Sequence, residues 1–415
     1  MSDRLPHFVD DRPFDATVPV PGSKSITNRA LLIAALAEGD SILTGMLLSD
    51  DTRYMAEAIA ALGLPIIVDA ATETANVTGG SGTFPADKAE LYIGNSGTTA
   101  RFLTAALTLG HGRYVLDGNP RMRQRPIGPL LDALRQIGAD VRGLMTPDCP
   151  PVEVIASGLP GGPCAIPGDL SSQYFSALLM AAPYARSEVA ISVIGELVSI
   201  PYLEITAAVM AEFGVQIEID RQTWASFRVP VGQRYRGRTY HIEPDASNAS
   251  YFFAAAAASG GRAIVDGLGT ASTQGDLQFV RALEAMGATV TMTSDRTEVV
   301  GPPIGTLRGI DIDMGTISDT AQTLAAIAPF ATGPTRITGI AHNRLKETDR
   351  IADLATELRR IGQRVEEFAD GLVITPGPIT AAAIHTYDDH RMAMSFGITA
   401  LLTGEIDILD PGCTA

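Results

Sequence analysis

Lysine is almost missing from this chain. Of 31 basic residues only Lys24, Lys88 and Lys346 are lysine, and the other 28 are arginine. Cysteine is as scarce. Cys149, Cys164 and Cys413 form no CxxC pair and cannot pair evenly, which points to free thiols in a reducing compartment. No uninterrupted apolar run approaches the ~20 residues that span a bilayer; Ala30–Ala37 is among the longest. The opening stretch, MSDRLPHFVDDRPF, is acidic and lacks the apolar segment of a signal or transit peptide, so a cytoplasmic protein is expected. The six histidines show neither HExxH nor any other zinc spacing. There is no GxSxG elbow, and no GxGxxG opens a helix. GSKS at Gly22 lacks the upstream glycine of a phosphate-binding P-loop, which argues against a kinase. Neither a metal nor a cofactor is expected.

Positive charge is also in deficit. The net charge of −16 argues against non-specific nucleic-acid binding and against an anionic membrane surface. An anionic substrate must therefore be held by a local cluster of cations against the global field. Two of the three lysines lie in such clusters, SKSITNR and RLKETDR. In a lineage that writes arginine nearly everywhere, a retained lysine suggests a need for a compact, rotatable ammonium. Lys88 has no such context and reads as solvated surface.

What the chain does contain is a repeat. At 415 residues, two or three domains are expected. Five amphipathic helices each end in glycine, at Gly63, Gly138, Gly214, Gly287 and Gly362, at intervals of 75, 76, 73 and 75 residues. Glycine suits the left-handed position just past a helix end. A second kind of helix is apolar nearly all round and opens with a polar cluster. Taking Ser25, Gly97, Ser172, Asn248, Asp319 and His390 as starts, the intervals are 72, 75, 76, 71 and 71. A helix apolar on every face belongs in a core, with its polar start where the core meets water. Free N–H groups and the positive end of the helix dipole lie there, so converging starts make an anion site. Ser41, Ser49 and Asn248 read as plain N-caps. Lys24, Arg29, Arg101 and Arg391 oppose the dipole and call for an anionic partner. Asp319 reads either as an N-cap or as a general base. Glu347, between Lys346 and Arg350, is a second candidate acid or base. The segment PRMRQRPIGPL, with Arg121, Arg123 and Arg125, reads as a basic loop before a helix.

Eight strings together resemble one family over essentially the whole chain: PGSKSITNRALLIAALA, LSDDTRYMAEAIAALG, GNSGTTARF, PRMRQRPIGPLLDAL, SSQYFSALLMAAP, DASNASYFFAAAA, NRLKETDRIADLATELRRIG and YDDHRMAMSF. They are similar to the EPSP synthases, 3-phosphoshikimate 1-carboxyvinyltransferases of the enolpyruvyl transferase family. The resemblance implies an α/β fold, a two-domain inside-out α/β barrel of six βαβαββ-type repeats, three per domain, closing like a clamp. It implies one domain over residues 22–241 and a second made of residues 1–21 plus 242–415, its last repeat incomplete. The implied reaction moves the enolpyruvyl group of phosphoenolpyruvate to the 5-hydroxyl of shikimate 3-phosphate. Its partners are those two small molecules, with no nucleic acid and no membrane, in a monomer that glyphosate inhibits.

Residue by residue, the resemblance places Lys24 against both substrates. It assigns shikimate 3-phosphate to Ser25, Arg29, Ser171, Ser172, Gln173, Ser199, Tyr202, Asp319, His342 and Lys346. It assigns phosphoenolpyruvate to Asn95, Gly97, Arg125, Gln173, Arg350 and Arg391, with Thr98 shaping the loop. Asp319 becomes the base at the 5-hydroxyl and Glu347 the proton carrier at C3.

There are departures from the pattern. His342 stands where the family has asparagine, and Phe102 where it often has proline. The chain stops at DPGCTA, where the family continues with a Lys-Thr-Phe-Pro segment and a final helix. Six apolar helices against five amphipathic ones say the same, so a longer natural protein is expected, and with it an apolar groove beside Met392–Leu402. Two rival readings are the sister enzyme acting on UDP-N-acetylglucosamine and a non-catalytic anion-binding repeat protein. The first uses a loop cysteine that His111–Pro126 lacks. The second has no need of Asp319 and Glu347.

Overall fold

The computed structural model describes residues 14–414. The N-terminal residues 1–13, which carry most of the stretch read above for targeting signals and part of the segment assigned to the second domain, lie outside the described residues. The chain forms two compact units, one of Pro21–Glu243 and one of Met1–Val20 with Pro244–Ala415.

Eleven helices alternate in kind along the described residues. Six are core helices: α1 (Lys24–Leu36), α3 (Gly97–Leu107), α5 (Ser172–Ala181), α7 (Ala246–Ser259), α9 (Ala321–Ile327) and α11 (His390–Thr403). Five are amphipathic: α2 (Asp50–Ala61), α4 (Gly128–Gln136), α6 (Pro201–Glu212), α8 (Phe279–Met286) and α10 (Arg350–Arg360). In α1 every residue from Ile26 to Leu36 is buried, and α9 is buried throughout. In α10, Ile351, Leu354, Ala355 and Leu358 face inward at helical spacing, while Arg359 and Arg360 face out. Each of the five amphipathic helices ends at its glycine in a positive-φ turn, with φ of 87° at Gly63 and Gly138, 90° at Gly214, 113° at Gly287 and 91° at Gly362. A side chain would be strained there, which is why the repeat is visible as glycine. Leu401, on α11, is the one exposed residue in the six core helices.

The strands follow the same repeat. Lys88–Tyr92 runs parallel to His111–Asp117, with α3 as the crossover. His111–Asp117 then pairs antiparallel with Val152–Ser157, which pairs antiparallel with Asp140–Gly143. Four other sheets share this order of one parallel and two antiparallel pairings. The sixth has the parallel pair alone, Ala382–Ile384 with Ile406–Ile408. In one unit the first sheet is completed by a strand from the far end of that unit's sequence, and in the other by a strand that the whole of the first unit separates from it in sequence. Thr239–His241 joins Asp40–Thr44 in one, and Asp15–Thr17 joins Arg262–Asp266 in the other. Each unit therefore has apolar helices inside and sheets outside, the inside-out arrangement of the α/β fold, around its own hydrophobic core.

The helix starts differ in detail from the sequence reading. Ser41 is not a cap but lies within the strand Asp40–Thr44, where Ile42 and Leu43 set a strand alternation. Asn248 lies inside the first turn of α7, and its N–H is accepted by the true cap, Asp245, at 2.8 Å. Ser49 does precede α2 as its cap. The capping side chains of α1, α3, α5, α7 and α11 are Ser23, Ser96, Ser171, Asp245 and Asp389.

Tight backbone contact near the division of the chain gives a stability test. A Cβ on Gly22 would stand 1.8 Å from the Gly45 carbonyl oxygen. Gly22→Ala must move backbone, and its melting temperature is expected to fall by about 4 °C or more. A variant melting within about one degree of the parent in a thermal scan contradicts this packing.

Candidate active site

Consider the unit Pro21–Glu243 first. Its polar side chains gather at the starts of α1, α3 and α5. Lys24 Nζ lies 3.2 Å from Asp51 at the start of α2, and Thr99 donates to the Asp51 carbonyl at 3.1 Å, which ties α1 and α3 to one segment. Arg29 is 2% exposed. Its fork donates to Thr206 (2.8 Å), to the Ser25 carbonyl (2.8 Å), and to Ser176 and the Tyr202 carbonyl (3.2 Å each). It also stacks over Phe102, 5.0 Å from the ring centroid. Burial lowers this guanidinium to about 10, still far above neutral pH, so Arg29 is a fixed charge that joins α1, α5 and α6. Of the anionic partners the sequence reading called for, Lys24 has one in Asp51, while the partners of Arg29 in this structure are hydroxyls and carbonyls.

Gly97 opens α3 between two guanidinium groups. A Cβ there would meet Arg101 Nη1 at 2.2 Å and Arg125 Nη2 at 2.6 Å. Arg101 donates to the Pro126 carbonyl (2.9 Å), and Arg125 to the Asn95 carbonyl (2.7 Å) and side chain (3.3 Å). The basic loop thus divides its charges. Arg125 turns inward at 5% exposure, whereas Arg123 pairs with Asp117 at the surface. Gln173 reaches Thr98 at 3.4 Å and so links α5 to α3. Ser171 caps α5, Ser172 is buried beside it, and Ser199 is held at φ +56°, a strained conformation for serine that is common at functional sites. Tyr202 lies one turn further on, its N–H bonded to the Ser199 carbonyl at 3.2 Å.

The other unit builds its polar face around one carboxylate. Asp319 sits in the 3-10 turn Ser318–Thr320 ahead of α9. Its carboxylate is not a helix cap; it pairs with cations from the turn ahead of α10, from α10 and from α11. Lys346 Nζ lies 2.5 Å from Oδ1, Arg350 Nη1 3.4 Å from Oδ1 and Arg391 Nη2 3.0 Å from Oδ2. Arg350, 2% exposed, is itself clamped by Asp389, Nε to Oδ2 at 2.6 Å and Nη2 to Oδ1 at 3.1 Å, and pairs with Glu347 at 2.7 Å. His342 is buried with Nε2 2.8 Å from the Ser318 hydroxyl.

The electrostatics follow from these contacts. Burial acts to raise Asp319, but Arg391, Lys346 and Arg350 outweigh it and hold the carboxyl well below the usual range. Burial and Arg350 oppose each other in the same way at Asp389, which is also lowered. Burial lowers Lys346 against the pull of Asp319. His342 is pushed down to about 3, by burial and then by Lys346, so its imidazole is neutral.

The contacts bring Gly97 together with Arg125, and Gln173 with Thr98, in one unit, and gather Lys346, Glu347, Arg350 and Arg391 around Asp319 in the other. Asp51 and Asp389 were missed. In each case two adjacent aspartates, Asp50–Asp51 and Asp388–Asp389, look alike in sequence, and only backbone geometry says which one reaches a cation of another helix: Asp50 pairs with Arg53 of its own helix, whereas Asp51 reaches Lys24.

Clustered cations holding a depressed carboxylate suit an enzyme that moves a group between anions, and comparison with known proteins gives the class as a carboxyvinyltransferase. The sequence matches the family EPSP synthase (3-phosphoshikimate 1-carboxyvinyltransferase) over residues 10–415. It is 52% identical over 407 residues to the 3-phosphoshikimate 1-carboxyvinyltransferase of Nostoc punctiforme, covering 98% of this chain and 94% of that one. It is 47% identical over 414 residues to the chloroplastic enzyme 1 of Nicotiana tabacum, covering 96% of this chain and 80% of that one. The structure of EPSP synthase from Acinetobacter baumannii superposes with a TM-score of 0.81 at 25% identity, covering 99% of this chain and 94% of that one. The chain belongs to the EPSP synthase family. Its reaction is transfer of the enolpyruvyl group of phosphoenolpyruvate to the 5-hydroxyl of shikimate 3-phosphate with release of phosphate, a step of the shikimate pathway to the aromatic amino acids.

Asp389→Asn removes the clamp from a buried guanidinium. Breaking such a pair costs about 3–5 kcal/mol, and urea unfolding at neutral pH is expected to show a loss of that order. The acid limb follows from the lowered carboxyls. Stability from Asp319 and Asp389 is complete above the ordinary carboxylate range near pH 4 and is lost as pH falls through their folded values. The parent is therefore expected to lose stability more steeply below about pH 4 than Asp389→Asn. Equal acid slopes would contradict the pairing.

Proposed function

We propose that the two polar faces divide the reaction as follows. Shikimate 3-phosphate is held by Ser25, Arg29, Ser171, Ser172, Gln173, Ser199 and Tyr202, with Lys346 and the neutral His342 donating to it. Phosphoenolpyruvate is held by Asn95, Gly97, Arg125, Gln173, Arg350 and Arg391. Lys24 serves both. The enzyme acts as a cytoplasmic monomer with no cofactor, and its two domains follow the two units of the chain.

The carrying observation is the set of three cations on Asp319. A carboxylate held far below its ordinary pKa is a poor base while those cations stay with it. Bound anions draw Lys346, Arg350 and Arg391 toward themselves and add negative charge nearby. Both effects raise the affinity of Asp319 for a proton. Asp319 thus becomes an effective base once the substrates are in place. It accepts the proton of the 5-hydroxyl as the oxygen attacks C2, and Glu347 gives a proton to C3, forming a tetrahedral ketal. Glu347 then takes a proton back from C3 as the C2–O bond to phosphate breaks, and the proton held by Asp319 passes to the departing phosphate, which restores the enolpyruvyl double bond, releases hydrogen phosphate and resets Asp319 as a carboxylate. Glu347, paired with Arg350 at 2.7 Å, is placed in the same cation set. The matched family and relatives carry the shikimate name, and nothing in the geometry favours the sister reaction on UDP-N-acetylglucosamine.

Phosphate release from shikimate 3-phosphate plus phosphoenolpyruvate, compared with UDP-N-acetylglucosamine plus phosphoenolpyruvate, tests the substrate. Release only with the second pair overturns the reading. Asp319→Asn and Glu347→Gln are each expected to lower kcat by ~10²-fold or more; near-normal turnover in both removes their roles. Lys24→Arg keeps the charge but not the compact ammonium, so a severe loss of activity with an unchanged melting temperature is expected. Gly97→Ala displaces Arg101 and Arg125. We expect it to raise the inhibition constant for glyphosate more than the KM for phosphoenolpyruvate; an equal rise in both contradicts the placement of Gly97.

A further inference from the structure

Between the strand Ala382–Ile384 and α11 the chain is pinned to α10 at two places. One is the clamp described above, where Asp389 accepts from Arg350 Nε at 2.6 Å and from Nη2 at 3.1 Å. The other is Glu357, a side chain of α10 with no exposure to water. Glu357 Oε1 accepts from the Tyr387 hydroxyl at 2.6 Å, and Oε2 accepts from the His385 N–H at 3.3 Å. Arg360, from the same helix, reaches Oε2 at 2.9 Å. Arg350 and Glu357 stand about two turns apart, so both lie on one side of α10. Their neighbours on that side, Ile351, Leu354 and Leu358, are apolar and buried. Packing alone would be served by another apolar side chain at this position, because a buried carboxylate adds little to stability. Burial and then the bond to Glu357 push the Tyr387 phenol up, so it stays a donor at neutral pH.

Strained backbone lies between the two pins. Tyr387 and Asp388 both hold φ of +56°, which costs free energy in residues other than glycine and persists only where contacts on either side enforce it. The shape of this segment governs two cations at once. It aims Asp389 at the Arg350 guanidinium, and it sets the cap from which α11 begins, where Asp389 Oδ1 accepts the Arg391 N–H at 2.9 Å. We propose that Tyr387, held by Glu357, is a positioning residue for phosphoenolpyruvate, keeping Arg350 and Arg391 in place through Asp389. The inference rests on the assignment of those two arginines given above. Without the hydroxyl, Tyr387 leaves Glu357, the strained residues relax, and Asp389 withdraws from Arg350. The guanidinium, whose Nη1 lies 3.4 Å from Asp319, then turns, and the start of α11 shifts with Arg391. Shikimate 3-phosphate, assigned mainly to the other unit, feels little of this.

The test is Tyr387→Phe, which removes one hydroxyl and keeps the ring. Its KM for phosphoenolpyruvate is expected to rise ~10-fold, the worth of a hydrogen bond to a charged group. Its KM for shikimate 3-phosphate is expected to stay as in the parent. A purely structural role would instead lower the melting temperature and the fraction of active protein and leave both constants in place. That result, or an equal rise in both constants, overturns the proposal.

The route through the clamp is checked in an Asp389→Asn background, where the pull on Arg350 is already weakened. There Tyr387→Phe is expected to raise the KM for phosphoenolpyruvate no further. A second rise of ~10-fold means that the hydroxyl acts by another path, and overturns the proposal. Should Asp389→Asn fail to fold, Glu357→Gln takes its place, since a neutral partner weakens the bond from Tyr387. The double variant of Tyr387→Phe and Glu357→Gln is then expected to show no more than the larger single effect, and additive effects overturn the proposal. Arg391→Gln separates this inference from the reading beneath it. If Arg391→Gln leaves the KM for phosphoenolpyruvate unchanged, the site assignment itself fails; if it raises that KM while Tyr387→Phe does not, this inference alone fails.

Discussion

One carboxylate, Asp319, decides where three cations sit. Lys346 lies in the turn ahead of α10, Arg350 opens α10 and Arg391 belongs to α11, and each reaches the same side chain. Without that anchor, three positive groups packed against one another would repel. With it, the protein stores a cation cluster in a face that is ready for anions, in a chain whose net charge is −16. The arrangement joins binding to chemistry. In the proposed reaction, the charge that substrates take from Asp319 converts it from an ion-pair partner into a base.

The fold supplies the anchor's surroundings. Core helices apolar on every face can start only at the edge of the core, so their polar first turns are driven to the surface of each unit. Asp389 illustrates the cost. Tyr387 and Asp388 both hold φ of +56°, a conformation that strains residues other than glycine, and the next residue caps α11 and clamps Arg350 with no exposure of its own. Two strained residues are tolerated because they aim one carboxylate at a buried guanidinium.

Much of this was legible in the sequence. The glycines at intervals of about 75 residues marked helix ends because only a positive-φ turn requires them, and the structure places all five there. The apolar runs marked core helices because no other setting hides every face. Lys24 and Lys346 stood out against an arginine background, and both are in the polar faces. What could not be read was direction. Asp319 was equally an N-cap or a base until the turn Ser318–Thr320 showed it facing cations instead of helix N–H groups. The ion pairs of Asp51 and Asp389 carry no local signal, since Lys24 and Arg350 lie more than 25 residues away in sequence. The polar starts hinted that Arg29 needed an anion; within the protein it donates to hydroxyls and carbonyls.

The claim on which the account turns is that Asp319 changes character when anions bind. Carbon-13 titration of its carboxyl, assigned by comparison with Asp319→Asn, measures this directly, in the substrate-free enzyme and with shikimate 3-phosphate plus inorganic phosphate as a non-reacting pair. The account predicts a carboxyl well below the ordinary range in the free enzyme that moves up when the two anions are present. A carboxyl that titrates in the ordinary range in the free enzyme, or one that does not move on binding, would contradict it.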